Sequence, residues 1–161
     1  MLNHSLQVGF SFGLTSGVIT TLGLLVGLSA GTNSRLVVIG GILTIAIADA
    51  FSDALGIHIS EESEGRHTAN EVWQSTFAAF SAKFLFALTF IVPVLLLDLG
   101  WAVGVSIAWG LLTLGVLSYR MGKEEGENPW GVVFEHLLIA VIVVVLTHYV
   151  GTWIALVFGQ I

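Results

Sequence analysis

Five long apolar stretches follow one another through this chain, separated only by short polar joints. They run over about residues 8–30, 36–59, 77–97, 101–119 and 130–158. A helix needs about 20 apolar residues to cross the hydrocarbon of a bilayer, whereas a membrane strand needs only about 9–11. Every stretch exceeds the strand length, so the pattern predicts helices and excludes a barrel. The expected fold is an all-α integral membrane protein: a single domain over 1–161 with five transmembrane helices.

With 55% hydrophobic and only 10% charged residues, the chain has too few polar groups to cover a soluble domain of 161 residues. Without cysteine, disulfides, iron–sulfur clusters and thiolate metal sites are excluded. A net charge of -6 with five Lys and Arg argues against nucleic acid as a partner. No nucleophile–base pairing or His-Glu-x-x-His zinc signature is present, so the chain does not read as an enzyme, and no tightly bound cofactor is expected.

The opening "MLNHSLQ" lacks the basic start and small-residue cleavage site of a signal peptide, so the first span is expected to stay. Arg66, Lys83, Arg120 and Lys123 fall on the side shared by the N-terminus, and only Arg35 falls opposite. The positive-inside rule then puts the N-terminus in the cytoplasm and the C-terminus outside. Trp73, Trp101, Trp130 and Trp153 lie near span ends, as interfacial anchors do. Asn128 before Pro129 reads as a helix start, and Pro93 should kink the third span. In the first span Gly9, Gly13 and Gly17, then Gly23, Gly27 and Gly31, each repeat every four residues. Each set forms a smooth groove for another helix, by tight packing or as a self-association face or pore wall.

Asp49 and Asp53 are the anomaly. One helical turn apart on the second span, they share a face with Ser52 and Gly56 beside them. At 1.5 Å rise, Asp49 lies roughly 15 Å from the helix end, where an aspartate costs about 2.5–3.5 kcal/mol. Two adjacent carboxylates survive there if something cationic keeps them company: a metal ion, protons, or Lys83, which sits at similar depth in the third span. One lysine cannot neutralise two aspartates, and Glu135 adds a further acid a turn or so into the last span.

Other polar groups are weaker signals. Glu135 and His136, as neighbours, point about 100° apart. His58 and His148 read by default as hydrogen-bonded packing residues, and Thr15, Ser16, Thr20 and Thr21 as hydroxyls bonded back to their own helix. The loop on one side supplies Glu61, Glu62, Glu64, His67 and Glu71, and the next supplies Glu124, Glu125 and Glu127. Carboxylate with imidazole suits divalent ions such as Mn²⁺ and Fe²⁺, and clustered negative charge concentrates cations.

These residues resemble the vacuolar iron transporter family, the iron and manganese transporters of plants, yeast and many prokaryotes. "SGVITTLGLLVGLSAGTNS" looks like the family's first-span signature and "GGILTIAIADAFSDALG" like its second, with Gly17, Gly27, Leu28, Ser29, Ser52 and Gly56 on family positions. Ser63-Glu64 resembles the family's Ser-Glu past this helix, and Pro93 falls on the family proline. The resemblance implies a five-helix protomer, a homodimer with its path between the first and second spans of both chains, and export of Fe²⁺ or Mn²⁺ against protons.

This chain departs from that pattern at the chemistry. Ser16 stands where the family has an aspartate, Asp53 where it has a methionine, and Ile45 where plant members have a glutamate. A carboxylate has in effect moved one turn along the helix and a soft thioether has become a hard oxygen, tilting preference toward Mn²⁺, or even Mg²⁺ or Ca²⁺. The expected site joins Asp49 and Asp53 of both subunits with Ser16 or Thr20, and Glu61, Glu64 and Glu71 form an intake funnel. Expected partners are the lipid bilayer, a second copy, divalent cations and protons, and the expected residence is a prokaryotic inner membrane. The rival reading is a non-transporting scaffold in which Asp49, Asp53 and Lys83 form one buried ion network.

Overall fold

The computed structural model describes residues 4–159; residues 1–3 and 160–161, the ends of the predicted domain, lie outside the described residues. The elements are α1 (His4–Thr32), α2 (Arg35–Glu64), α3 (Ala69–Thr89), α4 (Ile91–Leu96), α5 (Leu99–Glu125) and α6 (Pro129–Phe158). Taken with α4, α3 forms the segment Ala69–Leu96, so five segments among the described residues are long and apolar enough to cross a membrane.

Local chemistry sets the boundaries. The Ser34 side chain caps α2 by accepting from the Val37 N–H, and Thr68 with Glu71 forms a reciprocal capping box on α3. Asn128 caps α6 with Pro129 in its first turn, where a missing N–H is no loss. Gly65 ends α2 and Gly126 ends α5, both at positive φ, a conformation that a Cβ disfavours. Pro93 acts as expected. It has no N–H for the Thr89 carbonyl four residues back, and the helix breaks at Phe90 between α3 and α4. The Trp109 indole donates to Thr89 Oγ1 at 3.1 Å, fixing α5 to that break.

At the centre is α1, packed against α2, α3, α5 and α6. Its two glycine series face different neighbours. A Cβ on Gly9 would strike the Ser75 carbonyl and one on Gly13 the Ala79 carbonyl, so α3 lies backbone to backbone on this series. The second series faces α6: Gly27 lies against Thr147 and Gly31 against Gly151. Both grooves are thus filled within the chain by α3 and α6, which favours tight packing over a self-association face. Between these contacts Val18, Leu22, Leu25 and Val26 form the core with Val38, Ile42, Phe90 and Leu114. The outward surface is apolar, as lipid contact requires, with Trp73, Trp101, Trp130 and Trp153 all exposed.

An acid–lysine cluster between three helices

Four rows of residues, each at four-residue spacing, run along α2. Val38, Ile42, Ala46, Ala50 and Ala54 are buried against the bundle. Gly40, Thr44, Ala48, Ser52, Gly56 and Ser60 are all exposed, as are the large apolar Leu43, Ile47, Phe51 and Leu55. Helical geometry puts the row of Asp49 and Asp53 between the alanines and the small polar row. The carboxylates therefore stand at the border of the packed and open faces, with side-chain exposures of 27% and 18%. Asp49 lines an open groove with Leu24, Thr44, Ala48 and Ser52.

Lys83 meets them from the interior. It is 1% exposed, and its stem leaves α3 beside Gly17, where the missing side chain makes room for it. The ammonium forms an ion pair with Asp49 Oδ2, donates to Asp53 Oδ2 at 2.5 Å and donates to Ser16 Oγ at 2.8 Å. Three oxygens surround a group that has three N–H donors. Two carboxylates and one ammonium leave a formal charge of -1. Ser16 thus becomes part of the lysine's seat.

A second polar layer lies eight residues away on each helix. On α1 the step is Gly17 to Gly9, on α2 Asp53 to Glu61, and on α3 Lys83 to Ser75. Glu61 is buried at 5% exposure and accepts from Ser75 Oγ at 2.7 Å, with Gly9 against the Ser75 backbone. At 1.5 Å per residue the two layers are about 12 Å apart. Beside this second layer, the Thr76 hydroxyl lies 2.6 Å from the Val72 carbonyl and 2.9 Å from His58 Nδ1, which orients the imidazole. His136 is oriented the same way by Ser118, whose hydroxyl donates to the Leu114 carbonyl.

The remaining expected site residues do not converge with these. Thr20 Oγ1 donates back to the Ser16 carbonyl at 2.8 Å. Glu64 pairs with His67 at 3.6 Å, and Glu71 is engaged by Thr68 in the α3 cap. Of the three acids expected to form an intake funnel, Glu61 is buried and Glu64 and Glu71 each have a local partner. Glu135 is exposed on α6, which packs on α1 and α5 and not on the aspartates' helix. Among the described residues, no three His, Asp or Glu side chains are placed to hold one metal ion. Sequence reasoning missed Ser75 and Thr76; the matched eight-residue step from Lys83 to Ser75 and from Asp53 to Glu61 is the signal that points to Ser75.

Fold and site together define an integral membrane protein whose five long apolar helices enclose ionisable side chains at depth. The VIT family model, that of the vacuolar iron transporters, matches residues 10–76 of the chain. The matched segment holds Ser16, Asp49, Asp53 and Glu61; Lys83 and Glu135 lie beyond it. No curated protein matches the chain.

Proposed function

We propose that this protein moves a divalent metal cation across a membrane, with Asp49 and Asp53 as the carboxylates that receive it. The observation that carries this reading is their place at the border of α2's open face, inside a segment that matches a transporter family. Oxygen ligands without a thioether favour harder cations, so Mn²⁺ is preferred over softer metals and Mg²⁺ and Ca²⁺ enter the range of cargo. The exposed row of small residues from Gly40 to Ser60 suits close approach of a second copy. Two copies meeting there would gather four carboxylates about one axis. In this reading the N-terminus is cytoplasmic, the ion leaves the cytosol of a prokaryotic cell, and protons return. Uptake of Mn²⁺ into proteoliposomes, compared between wild type and Asp53→Asn, is the test; equal flux removes Asp53 from the mechanism.

One observation favours a second reading. Lys83 engages both acids at once, as a structural ion network would. A scaffold of that kind predicts no metal flux and no stabilisation by Mn²⁺, whereas a ligand that binds only the folded state raises its melting temperature by mass action.

A further inference from the structure

The acid pair is approached from two sides, and Asp49 is the acid that meets both. From the interior comes the Lys83 ammonium, held by Asp49, Asp53 and Ser16 and tethered to α3 at a point wedged against Gly17. From the open side of α2 comes the groove of Thr44, Ala48 and Ser52, onto which Asp49 opens. An ion arriving through the groove meets oxygens already engaged by a positive charge that cannot leave the protein. A bare aspartate pair would offer it a charge of -2; with the ammonium in place the cluster offers -1.

We infer that Lys83 is a resident counter-ion that competes with the cargo for Asp49 and Asp53 and keeps its binding weak enough for release. This rests on, and deepens, the cation-transport reading. Conduction requires a site attractive enough to be entered and weak enough to be left, and a fixed cation behind the carboxylates meets both conditions. It balances the acids while the site is empty, so the empty state is not an uncompensated pair of charges in hydrocarbon. When cargo arrives, it repels it. Ser16 is the neutral oxygen that keeps the ammonium within reach of both acids.

The experiment uses the full chain in detergent and in vesicles, with Mn²⁺ alone as the probe. Calorimetric titration should show Lys83→Met binding Mn²⁺ at least tenfold more tightly than wild type, while its Mn²⁺ flux in proteoliposomes falls. Lys83→Arg, which keeps the charge, should bind as weakly as wild type. Equal affinity in wild type and Lys83→Met overturns the inference, and so does a gain of equal size in Lys83→Arg, because loosened packing would then be the cause. Should Lys83→Met be too unstable to purify, its recovery from membranes with and without added Mn²⁺ decides instead. Rescue by the metal supports the counter-ion role, and equal loss overturns it. If Lys83→Met gains affinity but no variant moves Mn²⁺, the transport reading falls and the competition at the aspartates stands.

Discussion

Gly17 on α1 stands against Lys83 on α3: a Cβ at Gly17 would lie 3.2 Å from the lysine Cα and 3.3 Å from its Cγ. The absent side chain thus lets a long cationic one cross α1 to reach α2. Nearer the Gly65 end of this seam the approach is tighter still, since Gly13 and Gly9 would place a Cβ on main-chain oxygens of α3.

That difference makes a graded prediction. Gly13→Ala should destabilise the protein, because overpacking costs about 1–3 kcal/mol and exceeds the roughly 0.5–1 kcal/mol that alanine gains over glycine within a helix. Gly104→Ala on α5, with nothing within 4 Å of its added carbon, should be neutral or slightly stabilising. Thermal unfolding in detergent compares them, and equal melting temperatures would show that α1 and α3 are not in backbone contact.

The exposed small row on α2 makes a prediction about assembly. Ala48→Leu and Gly56→Leu add bulk on the exposed face of α2, where a carbon added at Gly56 meets no described atom within 4 Å. Each should leave helix content and melting of the isolated chain nearly unchanged while shifting a dimer to monomer in light scattering. A dimer unaffected by both substitutions would move the contact to another surface.

Glu61 tests the second polar layer. Glu61→Gln keeps an acceptor for the Ser75 hydroxyl and should cost little, whereas Glu61→Ala removes a buried hydrogen bond of 2.7 Å and should cost about 1–3 kcal/mol. Denaturation of the two variants side by side is the measurement. If alanine and glutamine behave alike, the Ser75 contact contributes nothing to stability.

Much of this architecture can be read from the sequence because it depends on local rules. Span number follows from apolar length, the start of α6 from Asn128 and Pro129, and the break at Phe90 from Pro93. Depth counting brings Lys83 level with Asp53, and the two are in contact. What fails is anything that depends on which helices are neighbours. Glu135 lies at a plausible depth, yet α6 packs on α1 and α5 and leaves the aspartates' helix to others. Periodicity gives each helix its faces, but several circular orders of five helices satisfy the same faces. Glu71 is a different case: Thr68-x-x-Glu71 is a capping-box signature, and it gives a local partner to an acid that loop charge alone suggests is free.

The charge count at the cluster orders the stability of its neutralised variants in the absence of metal. Asp49→Asn leaves one carboxylate facing one ammonium, a formal charge of zero, and removes the more exposed of the two acids. Asp53→Asn reaches the same balance but neutralises the more buried acid and weakens its 2.5 Å charge-assisted hydrogen bond to a neutral one, so it should cost more, about 1–3 kcal/mol. Lys83→Met is the worst case, because two adjacent acids lose their positive partner, and breaking a buried pair from one side costs about 3–5 kcal/mol. Chelator-treated protein should therefore melt in the order wild type and Asp49→Asn highest, Asp53→Asn lower and Lys83→Met lowest. An order with Lys83→Met above Asp53→Asn would mean that the aspartates do not need a positive charge at this depth. The lysine would then owe its place to packing and not to its charge.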